Sequence, residues 1–280
     1  MKVFVTGATG YIGSVVSERL RDFGHHVVAL ARSPDSAAKL NAAGAQPVRG
    51  DLRDTSIVLR AAREADAAIH IAQEHSAEAA RLDRSLVDTV LEEYRLTGRP
   101  FIYTSGIWVT GDTGGREADE TWPVNPTPLV AWRPAHEQLV LETQGPRGIV
   151  IRPAVVYGRS GGMIGALQRQ GREEGVVRYI GDGENHWPFV HLDDLADLYV
   201  LALQAPAGSL YFASAGPAIP VRKIAEAIGP RAESITLEAA RAFMGPVADA
   251  LALDQRISSR KAMQELGWTP KSKSVIEELG

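Results

Sequence analysis

Cysteine is absent from the 280-residue chain, which excludes disulfides, thiolate nucleophiles and cysteine-ligated zinc, and leaves no sign of an oxidising compartment. Basic residues (30) do not outnumber acidic ones (34), so the formal net charge of -4 lacks the excess that a nucleic-acid surface needs. No run approaches the roughly 20 apolar residues of a membrane span. One lysine precedes Val3-Phe4-Val5, an opening unlike a signal peptide. No His or carboxylate group has metal-ligand spacing, so no metal is expected. These absences predict a cytoplasmic protein that meets neither nucleic acid nor membrane.

What is present is an ordinary globular composition, 45% hydrophobic and 23% charged. The length suits one large or two intimately joined domains. Short apolar runs at 3–5, 27–30, 46–49, 67–71, 101–104, 149–156 and 210–213 read as strands. Between them, 11–23, 36–43, 55–64, 77–96, 130–143 and 192–203 have helical spacing. Strands alternating with helices predict an α/β fold, a doubly wound parallel sheet of the Rossmann kind. Glycines 161, 162, 165, 171, 175, 181 and 183 break the next region into short pieces, as expected of a segment shaped around a ligand. Two further helices, 221–228 and 248–266, complete a smaller lobe. The dinucleotide-binding domain is therefore expected over 1–157 and 189–214, interleaved with a substrate lobe over 158–188 and 215–280.

Thr6-Gly7-Ala8-Thr9-Gly10-Tyr11-Ile12-Gly13 joins the first strand to the first helix. Gly7 permits the tight turn, Gly10 lets backbone approach a pyrophosphate, and Gly13 lets the helix pack on the sheet. With Thr9, Tyr11 and Ile12 they form the expected phosphate cradle at a helix N-terminus. The second strand ends Ala29-Leu30-Ala31-Arg32-Ser33, without the acid that would hold a ribose 2′-hydroxyl. Arg32 can instead pair with a 2′-phosphate through its planar fork, and Ser33 can donate a hydrogen bond. NADP (as NADPH) is favoured over NAD.

Further stretches carry a resemblance: Gly50–Asp54 (GDLRD), Ala67–Gln73 (AAIHIAQ), Tyr103–Gly106 (YTSG), Arg152–Gly158 (RPAVVYG), Phe189–Ala196 (FVHLDDLA) and Leu266–Pro270 (LGWTP). With the glycine turn, they make the chain resemble the extended short-chain dehydrogenase/reductases, also described as the NAD-dependent epimerase/dehydratase family, from end to end. The resemblance implies that Asp51 and Leu52 flank the adenine. It places Ile71, Ala72 and Gln73 along the nicotinamide ribose, with Pro153, Val155 and Val156 by the carboxamide. Ser105 matches the family serine that polarises a substrate. Many relatives dimerise through the helices corresponding to 77–96 and 130–143, which makes a homodimer the expected assembly.

The family's Tyr-x-x-x-Lys pair is missing. None of the seven tyrosines has lysine four residues later, and no lysine occurs between Lys39 and Lys223. Alignment on Glu137 puts Leu129 at the tyrosine position and Arg133 at the lysine position, where Arg133 can still bind ribose hydroxyls. His136 shares a helical face with Arg133, and histidine as a residue type is suited to proton exchange near neutrality, which makes it the candidate proton donor. Trp108 and Trp132 read as an aromatic wall at the substrate or as packing. Tyr157 and His186 read as substrate contacts or as structural residues. The chain is thus expected to be an NADP-dependent oxidoreductase of an atypical branch, acting on a small carbonyl or alcohol. The alternatives are a non-catalytic NADP-binding sensor or partner module, and a nucleotide-sugar epimerase or dehydratase.

Overall fold

The computed structural model describes residues 1–229 and 231–279. Six strands alternate with helices in the order expected. They are β1 (Lys2–Thr6), β2 (His26–Ala31), β3 (Gln46–Arg49), β4 (Ala67–His70), β5 (Pro100–Thr104) and β6 (Arg147–Pro153). A seventh, β7 (Ser209–Ala213), completes one sheet with the order β7-β6-β5-β4-β1-β2-β3. Every pairing from β6 to β3 is parallel. Parallel neighbours need crossovers, and α1 (Tyr11–Asp22), α2 (Pro34–Ala42), α3 (Thr55–Arg63), α4 (Ala79–Tyr94) and α5 (Arg133–Glu142) occupy the intervening segments. Central strands such as Val3-Phe4-Val5 and Ala67-Ala68-Ile69 are buried throughout, which is why they read as unbroken apolar runs.

The order reverses direction at β1. The chain steps outward to β2 and β3, then returns to lay β4 against the other side of β1. A crevice therefore opens between the loops that leave the carboxyl ends of β1 and β4.

Two compact units interleave along the chain. One comprises Met1–Ser105, Ala135–Ile151 and Ala196–Leu210; the other comprises Gly106–Pro134, Arg152–Leu195 and the chain from Tyr211 onward. The second unit thus also takes 106–134, 152–157, 189–195 and 211–214, which the sequence reading assigned to the dinucleotide domain. Its core gathers Tyr157, Ile164, Trp187, Phe189, Val221, Ile224 and Val275.

Three local expectations change. The glycine-rich region contains a regular helix, Gly162–Glu174. Gly165 and Gly171 serve close packing inside it, since a Cβ would lie 2.3 Å from the Ser160 carbonyl oxygen and 2.9 Å from Val177 Cγ2. The expected helix 248–266 is broken into Val247–Leu251, a short strand Arg256–Ile257 and Arg260–Leu266. Buried Gln255 interrupts it by donating to the carbonyls of Ile107 (2.8 Å) and Gly111 (2.9 Å), while Arg256–Ile257 pairs with Glu117–Ala118. The run 149–156 divides at Ala154, whose N–H bonds the Ala213 carbonyl, and Val155–Tyr157 then pairs with Phe189–His191.

Candidate functional site

The crevice beside β1 is a cleft of about 740 Å³, within the range of small-molecule sites. Its wall contains Gly7, Thr9, Gly10, Tyr11, Ile12, Gly13, Arg32, Ser33, Leu52, Ile71, Ala72 and Gln73. The glycines act there for different reasons. Gly7 has φ +79°, and a Cβ on it would lie 2.6 Å from the Ala72 nitrogen. A Cβ on Gly13 would lie 2.1 Å from the Gly7 carbonyl oxygen, so the first turn of α1 rests directly on the loop. Gly10 is exposed and meets only the Gly7 oxygen, at 3.2 Å. Its missing side chain leaves open space in front of α1. No side chain caps that helix, and its first turn holds no acid. Backbone N–H groups and the positive end of the helix dipole thus face the cleft, as a pyrophosphate requires. The residues fit a dinucleotide.

One end of the cleft is built by β2 and α2. Ser33 caps α2 through a reciprocal capping box. Its Oγ accepts from the Ser36 N–H at 3.1 Å, and its own N–H donates to Ser36 Oγ at 2.9 Å. Arg32 extends to Glu74, with Nη1 3.4 Å from Oε2. Leu30, Ser36, Glu74 and His75 also line the cleft, and sequence reasoning missed all four. Only Ser36 left a signal, through its capping spacing from Ser33. Asp51 does not line the cleft: its carboxylate accepts from the Arg53 N–H and guanidinium, both at 3.0 Å. Burial works against the charged form, but the Arg53 N–H and guanidinium, with Arg32 farther off, hold the Asp51 carboxyl below its usual range.

Beneath the cleft, five buried side chains form one hydrogen-bonded chain. Register pairs Thr6 with His70, and Thr6 Oγ1 lies 2.6 Å from His70 Nδ1. His70 Nε2 lies 3.1 Å from Asp83 Oδ2. Asp83 Oδ1 receives the Tyr103 hydroxyl at 2.9 Å and lies 2.7 Å from His136 Nδ1. An ionised Asp83 accepts from both imidazoles and the phenol, leaving His70 Nδ1 to accept from Thr6. Sequence reasoning singled out only His136 of these five as a site residue, and the structure engages its Nδ1 with Asp83.

Ser105 follows β5. Tyr103 pairs with His70, and continuing that parallel register puts Ser105 level with Ala72 on the edge of the sheet that carries the glycine turn. Two strand spacings separate the turn from Ser105, about 10 Å. The Ser105 N–H is fixed on the Ile151 carbonyl at 2.8 Å, but its Oγ is shielded from solvent and has no hydrogen-bond partner among the described residues. Thr104 beside it bonds the Tyr199 hydroxyl at 2.6 Å. A buried unpartnered hydroxyl disfavours the bare protein by about 1–3 kcal/mol.

The other expected site residues belong to the second unit. Arg133 lays its guanidinium over the Trp132 ring, 4.6 Å from the centroid. Trp108 lies in a single 3₁₀ turn, Ile107–Val109. Val155 and Val156 pair with Phe189 and Val190, and Pro153 ends β6. The Tyr157 hydroxyl donates to the Lys273 carbonyl at 2.5 Å, and burial pushes its pKa upward. His186 Nδ1 lies 3.1 Å from Asp254 Oδ1 and 3.3 Å from Arg256 Nη2. Both side chains are therefore tied into the framework of their own unit. No cluster of three or more His, Asp or Glu that could hold a metal occurs among the described residues. No described helix is long and apolar enough to cross a membrane.

Comparison with known proteins decides the family. Residues 3–211 match the profile of the NAD dependent epimerase/dehydratase family. The chain belongs to that family. Its cofactor class is the NAD(P) dinucleotide, in keeping with the glycine cradle and its uncapped helix. Among full-length relatives, an uncharacterized protein of Schizosaccharomyces pombe is 37% identical, the match covering 100% of this chain and 98% of the relative. A 2-alkyl-3-oxoalkanoate reductase of Stenotrophomonas maltophilia is 29% identical over 80% of this chain and 73% of its own. The fold matches a UDP-glucose 4-epimerase of Thermus thermophilus solved with NAD, with TM-score 0.79, 23% identity, and coverage of 100% and 99%.

Proposed function

We propose that the protein is an NADP-dependent reductase of a ketone or aldehyde carried on a largely apolar molecule. The observation that carries this reading is Ser105, whose sequestered Oγ, on the sheet edge that bears the glycine cradle, has no partner among the described residues. When bound, the cofactor supplies the hydride chemistry. Gly7–Gly13 orient its pyrophosphate, and Arg32 with the Ser33–Ser36 cap receives the 2′-phosphate. Ser105 donates a hydrogen bond to the substrate carbonyl, stabilising the negative charge that develops on oxygen, and the resulting alkoxide takes its proton from solvent water.

The apolar character of the substrate is drawn from the reductase relative named for a 2-alkyl-3-oxoalkanoate, 29% identical to this chain.

The test is NADPH oxidation with a panel of alkyl and aryl ketones and aldehydes, run on wild-type protein and Ser105→Ala. Turnover that Ser105→Ala lowers at least a hundredfold supports the proposal. A second reading, a non-catalytic NADP-binding protein, draws on the missing Tyr-x-x-x-Lys pair. Tight NADPH binding with no turnover of any carbonyl selects it.

A further inference from the structure

β2 ends without a carboxylate, yet the structure brings one to the same cleft from the other strand that borders it. Glu74 follows β4, lines the cleft, and has its Oε2 3.4 Å from Arg32 Nη1. The Glu74 side chain is 21% exposed and that of Arg32 is 66% exposed. The carboxylate is therefore part of the wall, and the guanidinium is an arm folded onto it. Beyond Glu74 the charges continue to alternate. Arg53 bonds Asp51 at 3.0 Å and Glu78 at 3.5 Å, and Glu78 bonds Arg81 at 2.6 Å. The hydrogen bond that Arg53 donates to Asp51 comes first in raising the Arg53 pKa, and the field of Glu74 adds to it. Glu74 thus stands between two arginines, in contact with one and within the electrostatic reach of the other.

We propose that Glu74 sets cofactor selectivity by holding Arg32 in an ion pair that a 2′-phosphate has to break and that an unphosphorylated ribose leaves intact. The inference rests on the cleft being the NADP site. A phosphomonoester near neutrality carries between one and two negative charges and binds a guanidinium bidentately. Arg32 reaches it only by leaving Glu74, and the abandoned carboxylate then repels the same phosphate unless it turns toward Arg53. NAD brings a hydroxyl to this point, which disturbs nothing and can donate to Glu74. Arg32 alone would favour NADP; Glu74 trims that advantage. An acid from β4 thereby does part of what the missing acid of β2 would do.

The experiment measures dissociation constants of NADPH and NADH, by nucleotide fluorescence, for wild type, E74Q, R32A and the double variant. Both side chains sit at the surface of the cleft, and matching thermal melts verify that the variants fold. E74Q is expected to tighten NADPH about twofold to fivefold, the scale of a partly exposed charge pair. NADH should change less than twofold, and the NADPH gain should vanish in the R32A background. An equal effect on both nucleotides, no effect, or a full gain without Arg32 overturns the inference. Preference of the wild type for NADH, together with unchanged NADPH binding in R32A, instead overturns the assignment of the cleft to NADP. The two failures are read from different proteins and remain distinguishable.

Discussion

Asp83 and His136 lie 53 residues apart in the chain and meet in the interior of the dinucleotide unit, with Oδ1 2.7 Å from Nδ1. The same carboxylate also holds His70 and Tyr103, so one acid from α4 ties together β4, β5 and α5. Removing a shared acceptor takes a hydrogen bond from three buried side chains at once, and each loss disfavours the folded state. Asp83→Ala should therefore destabilise by about 3–5 kcal/mol in urea unfolding, whereas Tyr103→Phe, which deletes one donor, should lose about 1 kcal/mol. Equal losses for the two variants would show that Asp83 is not the hub.

Ser105 gives the opposite pattern. Its Oγ has no partner among the described residues to lose, so Ser105→Ala should leave thermal stability unchanged or slightly raised, while turnover falls at least a hundredfold. A variant that loses stability and activity in parallel would mark Ser105 as structural.

Gly10 and Gly13 should also separate. A Cβ at 13 lies 2.1 Å from the Gly7 carbonyl oxygen, backbone that cannot move aside, so Gly13→Ala should destabilise by several kcal/mol, about 3 or more. A Cβ at 10 meets the same oxygen at 3.2 Å. Gly10→Ala should melt within a few degrees of wild type and yet bind NADPH at least tenfold more weakly. Melting curves with and without nucleotide distinguish these outcomes.

Glu120 supplies a pH test. Burial raises its carboxyl pKa, opposed by the Phe212 N–H that it accepts at 2.9 Å and, more weakly, by Lys261. An acid with a raised folded pKa binds more protons in the native state than in the unfolded one. Its contribution is full below the unfolded value near 4.5 and is lost as pH rises through the folded value. Glu120→Gln keeps an oxygen for Phe212 and removes the charge. It should be more stable than wild type at pH 7 and match it at pH 4, by urea unfolding. A constant difference across that range would contradict the assignment.

The parts of the fold legible in the sequence are those fixed by local chemistry. The glycine turn could be read because Gly7 and Gly13 meet backbone of the turn itself or of the segment that follows the adjacent strand. The expected strand 46–49 and helix 221–228 recur with the same bounds because composition and turn residues delimit them. What escaped depends on distant partners. Glycine inside Gly162–Glu174 reads as a breaker until Ser160 and Val177 are seen pressed against it. The break in 248–266 is imposed by carbonyls 148 and 144 residues away from Gln255. Glu74 and Asp83 are ordinary acids in sequence; only the return of β4 to β1 places one against Arg32 and the other against two histidines.

The central claim is that a hydride passes between bound NADPH and a carbonyl under the direction of Ser105. The most direct measurement uses NADPH deuterated at the transferable position, incubated with the protein and a reducible alkyl ketone, with mass spectrometry of the alcohol. The account predicts an alcohol one mass unit heavier, labelled at the carbinol carbon, and at least a hundredfold less of it with Ser105→Ala. Label retained entirely in a nucleotide that demonstrably binds would contradict it.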